Sequence, residues 1–224
     1  MKNCVFVIIS FFLIQNSFSQ EVSDSIGIYY LEDQLYVSFH YNLIESAPKT
    51  LKSNGFSGGF STGFVRDIPL NEDRNFGFGI GLGYVYSVFI QNLKIQNEDG
   101  NSIFSIVEDF STNKLSYSAL EIPVEMRWRT SDIKKYKFWR IYGGFKGYYV
   151  LQSNYKFVDE NIKIKSKNIS EIEKWSYGLT LSAGHGHWNL YLYYGLKPIL
   201  KNVLNTNEGF HLREMNIGLK FYIM

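Results

Sequence analysis

The sequence predicts an all-β fold: an eight-stranded, antiparallel, up-and-down transmembrane β-barrel preceded by a cleaved signal peptide. Three observations predict it. The chain begins with an export signal, segments of alternating apolar and polar residues recur along it, and the connections between these segments are alternately long and short. Strands of this kind, with long loops at one end and tight turns at the other, are typical of barrels in a bacterial outer membrane.

The first residues have the three parts of a secretory signal. Lys2 gives a positive start, residues 5–14 are apolar, and Ser17 and Ser19 form a small-x-small cleavage site. The apolar run of about 10 residues is too short for a membrane-spanning helix, which needs about 20. We therefore expect cleavage near Ser19 and a mature protein in the outer membrane. The predicted organisation is a signal peptide, a periplasmic N-terminal segment and a barrel domain, at 1–19, 20–34 and 35–224.

The composition excludes several classes of protein. The formal net charge is only +2, which argues against nucleic acid as a partner. The only cysteine is Cys4, ahead of the apolar run, so the mature chain is expected to have neither a disulfide nor thiol chemistry. Phe, Tyr and Trp make up 17% of the residues, a share that suits a lipid-facing surface with aromatic rims.

The fourth predicted strand shows two opposite faces most clearly. Its apolar residues share one face: Leu120, Ile122, Val124, Met126 and Trp128. Its charged residues share the other: Glu121, Glu125 and Arg127. Alternate side chains of a strand point to opposite faces, so one face is apolar and the other charged. The same period predicts eight strands, at 35–43, 56–68, 76–89, 120–128, 138–151, 175–184, 188–197 and 212–223.

The connections between these strands alternate in length. About 12 residues follow the first strand, about 25 precede Ser116, about 19 lie at 156–174 and about 12 precede Phe210. The other three connections are short turns, at 71–75, 131–136 and 184–187. Long loops are expected outside and short turns in the periplasm, so both ends of the barrel domain should be periplasmic.

A soluble lipocalin-like barrel is the alternative, because it also has eight alternating strands but turns its apolar face inward. The side chains that fill the interior of an eight-stranded barrel must share a small space. The apolar rows are too bulky for it, since they include Phe78, Trp128, Trp139, Phe145, Tyr149, Leu192 and Phe221. The row opposite Phe78 contains only small residues and instead suits a crowded interior: Gly77, Gly79, Gly81 and Gly83. The apolar rows are therefore expected to face outer-membrane lipid.

Several short motifs resemble a known family. They are Leu120-Glu121-Ile122-Pro123-Val124, the stretch Ile141-Tyr142-Gly143-Gly144-Phe145-Lys146-Gly147-Tyr148-Tyr149, Ile68-Pro69-Leu70-Asn71 and Tyr193-Tyr194-Gly195-Leu196. They are similar to the PorT-type small outer-membrane β-barrel family of Bacteroidetes-like bacteria. The resemblance implies an eight-stranded barrel without catalytic residues. The eponymous member belongs to a protein secretion system, although this chain lacks the basic-aromatic mature N-terminus of that member.

The polar faces carry charges that are expected to meet inside the barrel. The predicted lumen network consists of Glu121, Glu125, Arg127, Arg129, Arg140 and Lys146, and Lys197 and Lys220 are expected to join it from later strands. The fourth and fifth predicted strands should pair, which brings their charges together across the ladder. A buried charge needs a partner, so a network that plugs the lumen is expected. A selective pore is the alternative, although eight strands leave no continuous water channel.

The last strand carries a motif for assembly. The pattern Asn216-x-Gly218-x-x-Phe221-x-Ile223 resembles the C-terminal signal by which the outer-membrane assembly machinery takes up a barrel, except that Met224 follows it. That machinery is therefore an expected partner.

Tryptophans are expected at the membrane interfaces. The short turns place Trp128, Trp139 and Trp188 near the periplasmic interface, as an interface girdle, and Trp175 at the opposite end. Pro123 lies within the fourth strand but cannot donate a ladder hydrogen bond. The resemblance to the family implies that the strand tolerates proline at this site, for example at a bulge.

No catalytic, cofactor or metal site is predicted. His185 and His187 would give a metal ion only two ligands. His40 lies beside Ser38 on a lumen face, but a nucleophile also needs an orienting carboxylate. Residues 97–101 lack the full spacing of a calcium loop, and the Asp-Gly turn there predicts a hairpin that extends two strands beyond the membrane. That hairpin is where partner contact is expected.

The sequence thus predicts an integral outer-membrane barrel with a plugged polar lumen, which is not an enzyme. It is expected to act by surface-loop binding or as a subunit of an envelope or secretion complex. A small outer-membrane channel and a lipid-modifying enzyme are the alternatives.

Overall fold

The computed structural model describes residues 33–45, 50–98, 101–130, 139–200 and 212–223. Several predicted features lie outside these residues: the signal peptide with Cys4, most of the segment 20–34, the Asp99-Gly100 turn, the turn at 131–136, the stretch before Phe210, and Met224. The described chain forms the strands β1 (Asp33–Glu45), β2 (Gly58–Pro69), β3 (Phe76–Ile90), β4 (Leu93–Glu98), β5 (Asn101–Ile106), β6 (Thr112–Arg129), β7 (Trp139–Val158), β8 (Lys163–Lys167), β9 (Trp175–His185), β10 (Trp188–Pro198) and β11 (Arg213–Ile223).

Eight of these strands close a barrel. Their order is β6-β3-β2-β1-β11-β10-β9-β7, and β7 pairs back with β6. All of these pairings are antiparallel, and Leu35 near the start of β1 lies opposite Ile223 at the end of β11. The predicted eight-stranded antiparallel barrel is therefore confirmed. Within the described ranges, no helix has the length and hydropathy of a membrane span.

The fourth and fifth predicted strands are longer than expected. The strand predicted at 120–128 is β6, Thr112–Arg129, and the one predicted at 138–151 is β7, Trp139–Val158. Their register shifts where Ser118 faces Gln152 but Ala119 faces Val150, so β7 has an extra residue, Leu151. A bulge of one residue exchanges the two faces of a strand, so strict alternation ends there although the strand continues.

Pro123 is not at that bulge, which corrects the prediction. It lies opposite Lys146 in an unbroken part of the β6–β7 register. On its other side, the β3–β6 register stops at Ile80 opposite Val124 and resumes at Gly83 opposite Glu121. Because proline has no N–H to donate, the barrel tolerates it by a local gap in one ladder.

The two faces of the barrel wall differ as predicted. Large apolar side chains point outward, among them Leu35, Phe39, Phe145, Trp139 and Trp188, the last 64% exposed. The inward-facing side chains are almost fully buried, and toward the short turns they are mostly polar, charged or tyrosine, whereas toward the opposite end they include Val85, Phe89 and Leu115. This arrangement is the reverse of a lipocalin, so the apolar surface is on the outside.

The long connections, at the end of the barrel opposite the short turns, build an apolar cluster. We call this end the outer end. The cluster continues from the upper lumen into the connections through the buried side chains Phe89, Leu93, Ile95, Phe104, Leu115, Phe157, Ile172, Ile199, Leu200 and Leu212. The expectation that the hairpin would extend two barrel strands is wrong, because β4 and β5 form a separate two-stranded sheet. Burial of Leu93, Ile95 and Phe104 holds this hairpin against the barrel.

Candidate functional site

The lumen near the short turns contains a chain of ion pairs. Arg127 lies 2.8 Å from a Glu125 oxygen and 3.5 Å from Asp67, and Arg129 forms a second ion pair with Asp67. Lys220 lies 2.9 Å from the other Glu125 oxygen. These residues come from β2, β6 and β11, so the network joins strands that are not neighbours. We call it the inner tier.

A middle tier lies further along the lumen. The hydroxyl of Tyr36 donates a 2.6 Å hydrogen bond to Glu121, and Lys146 lies 3.1 Å from the second oxygen of that carboxylate. The ammonium group of Lys146 also lies 4.3 Å from the centre of the Tyr193 ring. Glu121 is thus neutralised by one cation and held by one hydroxyl, both from other strands.

An outer tier follows, where the lumen meets the apolar cluster. Tyr117 and Tyr148 donate hydrogen bonds of 2.6 and 2.9 Å to the same oxygen of Glu214. Their rings stack with centroids 5.6 Å apart, and Tyr117 also stacks on Phe89. From this tier outward the lumen becomes apolar.

Two glycines of β3 make room for these side chains. A Cβ at Gly79 would lie 2.5 Å from Nε of Arg127, and a Cβ at Gly83 would overlap the Tyr36 hydroxyl. Larger residues at these positions would displace the inner or the middle tier.

All six residues of the predicted lumen network point into the barrel. Glu121, Glu125, Arg127, Arg129, Arg140 and Lys146 are buried, with at most 3% of their surface exposed. Arg140 lies opposite Arg129 in the β6–β7 register, with its guanidinium 5.7 Å from the Tyr222 ring. Lys220 is also in the lumen. Lys197 is not: it lies near the outer end, partly exposed, 3.1 Å from Glu173, because β10 extends above the lumen charges there.

Sequence reasoning missed both carboxylates that complete the inner and outer tiers, Asp67 and Glu214. Asp67 lies on β2, whose alternation is interrupted by exposed and glycine positions, and Glu214 comes at the start of β11. Both can be identified from their position in the alternation of their strand, because every second residue points inward. Asp67 shares its face with Val65, and Glu214 shares its face with Asn216, both of which are buried inward.

The described lumen holds four buried carboxylates and five buried Lys or Arg side chains. Charged side chains can be buried when they contact side chains of opposite charge. Seven buried tyrosines fill the space between them: Tyr36, Tyr117, Tyr142, Tyr148, Tyr191, Tyr193 and Tyr222. Chemically, such an arrangement can fill the barrel and hold its strands together.

The histidines are dispersed. His40 is buried in the lumen with its ring 6.5 Å from that of Tyr191, while the Ser38 hydroxyl pairs with Ser61 at 2.7 Å. His185 ends β9 beside Trp139, and Nδ1 of His187 lies 3.3 Å from the Tyr222 carbonyl oxygen. Among the residues that the structure describes, no three His, Cys, Asp or Glu side chains are arranged to hold a metal ion.

The predicted girdle residues are on the outward face at the short-turn end. Trp139 and Trp188 both lie opposite His185 in their ladders, so two of the three are in one row across β7, β9 and β10. Trp128 lies opposite Ile141, two residues along β7 from Trp139.

The residues of the predicted assembly motif divide between the faces of β11. Asn216 is buried in the lumen and Gly218 lies opposite His40, whereas Phe221 and Ile223 point outward. The Phe221 ring packs edge-on against Trp188 at 4.8 Å.

Known proteins are similar to this chain at the level of a solved structure and of a family. A crystal structure of Ail, the attachment invasion locus protein of Yersinia pestis, matches with 12% sequence identity and a TM-score of 0.37, over 85% of this chain and 97% of Ail. No curated protein matches the chain. The family model described as outer membrane protein beta-barrel domain matches residues 18–201, which is most of the chain. The chain therefore belongs to the outer membrane protein beta-barrel domain family.

Proposed function

We propose that this outer-membrane barrel has a closed lumen and acts by binding a partner through its outer connections, as a surface protein or as a subunit of an envelope complex. One observation carries the proposal. The lumen is filled at each level by buried side chains, while the described parts of four long connections at the outer end pack in or against a common apolar cluster.

Closure of the lumen is supported from both ends. Arg127 in the inner tier has essentially no exposed surface, and neither does Tyr222, whose hydroxyl lies 3.4 Å from the Glu125 carboxylate, or Tyr36 in the middle tier. At the outer end, Leu93 and Phe157 are each 1% exposed beneath the connections. Eight strands enclose an interior that side chains can fill, so hydrated ions have no path between these groups.

Binding at the outer end is supported by the way its segments are held. The β4–β5 hairpin is anchored by Ile95, whose N–H donates a 3.0 Å hydrogen bond to the Tyr155 hydroxyl. The β8 strand is held by five register pairs with β7. Loops held on a rigid scaffold are the usual carriers of recognition. The PorT-like motifs place an envelope or secretion complex among the candidate partners, although this chain lacks the basic-aromatic mature N-terminus of the eponymous member.

The lumen supports a structural role better than catalysis. His40 contacts Tyr191, and the nearby Ser38 hydroxyl pairs with Ser61 instead of with a base. A nucleophile needs a base within hydrogen-bond reach. Modification of lipid A or phospholipid that is lost in His40→Ala would show that this view is wrong.

Conductance tests the closed lumen. The purified chain in planar lipid bilayers should give no steady conductance. A steady conductance that disappears in Arg127→Ala/Arg140→Ala but persists in Lys52→Ala, at an exposed position, would show instead that the protein is a channel.

Cross-linking tests partner binding. The tagged protein would be purified from cross-linked outer membranes in mild detergent, and proteins recovered in near-equal amounts would be identified. We expect a partner that is lost in Ser105→Arg/Glu108→Arg, at exposed outer positions, and retained in Glu72→Arg/Asp73→Arg, in the turn at the opposite end. Recovery of the barrel alone would exclude a stable complex.

A further inference from the structure

The outer parts of β6 and β7, together with β8, carry a cluster of lysines on their outward surface. We call this cluster the lysine face. In the ladders, Lys114 of β6 lies opposite Lys156 of β7, and Lys156 lies opposite Lys165 of β8. Three like charges are therefore direct neighbours across three strands. Lys163 and Lys167 lie two residues on either side of Lys165 and so share its face.

The face points away from the barrel interior. On β7, the inward positions after the bulge are Ser153, Tyr155 and Phe157, which are at most 3% exposed, whereas Lys156 between them is exposed. Ile164 of β8 lies opposite Phe157 and packs on the apolar cluster, so its neighbours Lys163 and Lys165 point outward.

Like charges directly opposite each other destabilise a sheet, so this arrangement has an electrostatic cost. Within the described ranges, none of the five lysines forms a salt bridge, unlike Lys197 with Glu173. Asp159 and Glu160 lie in the β7–β8 turn, at the end of these strands furthest from the barrel. An anion that bridges the lysines would remove the repulsion.

The position of the face relates it to the membrane. The outward apolar surface of β7 and β9 ends at Tyr149, Leu151 and Trp175, where the Tyr149 and Trp175 rings are 4.8 Å apart. Lys167 lies opposite Asn154, three residues beyond Leu151, which is about 10 Å along the strand. Lys167 is therefore level with lipid headgroups just outside the hydrocarbon layer, and Lys156 and Lys165 lie two residues, about 7 Å, further out along their strands.

A groove lies between the apolar surface and the lysine face. β7 pairs with β9 up to Tyr149 and with β8 from Asn154 onward, which leaves an interval covered only by the segment 168–174. The groove there has a volume of about 500 Å³, and its lining includes Tyr149 and Leu151 at the end nearer the apolar surface and Gln152 and Asn168 at the end nearer the lysine face. This change from apolar to polar, followed by the lysines, is the polarity order of a lipid molecule in the outer leaflet.

We propose that the lysine face and this groove form a binding site for a phosphorylated lipid of the outer leaflet. The phosphate lies on Lys156, Lys165 and Lys167, and the beginning of an acyl chain lies along Tyr149 and Leu151. The proposal concerns the outward side of the wall, so it does not depend on closure of the lumen or on a protein partner.

Titration with defined lipids tests it. The full mature chain, refolded in dodecyl maltoside micelles, would be titrated with diphosphorylated lipid A and, in parallel, with the same lipid A after removal of its phosphates. Binding would be followed by tryptophan fluorescence. We expect the phosphorylated form to bind at least about tenfold more tightly at low salt and the preference to fall as salt is added.

Two variants isolate the lysines. Lys156→Gln/Lys165→Gln/Lys167→Gln should lose the preference for phosphate, whereas Lys156→Arg/Lys165→Arg/Lys167→Arg, which retains the charge, should keep it. Heat-modifiable mobility on gels reports that both variants fold, and the Gln variant should be no less stable than the natural chain because like charges have been removed.

Four outcomes would overturn the proposal. The first is equal binding of both lipids to the natural chain, and the second is an unchanged preference for phosphate in the Gln variant. The third is equally tight binding of sodium phosphate without lipid. The fourth is normal lipid binding by a Gln variant that has lost a cross-linked protein partner. The third would show a site for free phosphate, and the fourth a protein-binding surface.

Discussion

Tyr36 and Glu121 join opposite sides of the barrel: the hydroxyl of Tyr36 on β1 donates a 2.6 Å hydrogen bond to the carboxylate of Glu121 on β6. Strands β2 and β3 lie between β1 and β6 along the wall, so the bond crosses the lumen. Hydrogen bonds to buried charges are among the stronger ones in proteins. This hydrogen bond is therefore well suited to fix the distance between β1 and β6 across the lumen.

Removal of the Tyr36 hydroxyl should weaken the barrel. Tyr36→Phe leaves Glu121 with Lys146 as its remaining ion-pair partner, and we expect a loss of about 1.5–3 kcal/mol in the free energy of unfolding. Urea unfolding in lipid vesicles, followed by tryptophan fluorescence, measures it. Tyr84→Phe is the matched control, because Tyr84 is on the outward face and should tolerate the change. Equal effects of the two changes would contradict the role given to the Tyr36–Glu121 bond.

Loss of the inner-tier carboxylate should cost more. Glu125→Ala leaves Arg127 and Lys220 without the carboxylate between them, and removing one partner of a buried ion pair costs about 3–5 kcal/mol. The same unfolding assay would compare it with Glu173→Ala, which breaks the partly exposed pair with Lys197 and should cost about 0–1 kcal/mol. Comparable losses would show that the inner tier adds little to stability.

Gly83 should be coupled to Tyr36. The Cβ of Gly83→Ala would overlap the Tyr36 hydroxyl, and overpacking of this kind costs about 1–3 kcal/mol. In a Tyr36→Phe background the cost should be smaller, so a double-mutant cycle should show a coupling energy. Gly147→Ala is the control, since its Cβ would meet only a carbonyl oxygen of Ser176 at 4.0 Å. Additive effects of the Gly83 and Tyr36 changes would argue against this contact.

The loss of stability caused by a charge on the outward face should depend on how deep the charge lies in the hydrocarbon layer. Phe145 is the middle residue of the outward row of β7 that runs from Trp139 to Leu151. Phe145→Arg should cost about 2–4 kcal/mol, and Trp139→Arg, at the rim of the same strand, about 0–1 kcal/mol. Unfolding from lipid vesicles measures both, and a reversed order would place the hydrocarbon layer elsewhere on the barrel.

Phe221 should matter more for assembly in the cell than for the folded barrel. We expect Phe221→Ala to lower the amount of protein in the outer membrane while the purified chain still refolds in detergent, despite the loss of contact with Trp188. Leu219→Ala changes the same face of β11 two residues away and should assemble normally. If Phe221→Ala fails to refold in detergent as well, its effect is on stability and the assembly motif is not supported.

The barrel could be predicted because its physical cause is local. A strand that faces lipid on one side and a polar interior on the other alternates along its own sequence, as in Leu120 to Trp128, and no distant contact is needed to see the pattern. The same alternation put the six predicted lumen charges on one face of their strands, and in the structure these six side chains are buried. On β7 the alternation ended at Leu151, where a single extra residue exchanges the two faces of the strand. On β6 the faces do not change, but beyond Leu120 the inward residues Leu115, Tyr117 and Ala119 are apolar or aromatic, so the pattern of apolar-out and polar-in ends there. The outer parts of both strands were therefore not recognised.

The architecture, the outward direction of the apolar rows and the inward direction of the charges follow from the amino-acid sequence alone, because each depends on the period of one strand. Which charges meet depends instead on the tertiary structure. Asp67 contacts Arg127 and Arg129, and Glu125 contacts Lys220, through strands far apart in the chain. The tertiary structure also packs the β4–β5 hairpin against the barrel and makes three lysines of different strands neighbours. Register and closure set these distances, and they depend on all eight strands at once.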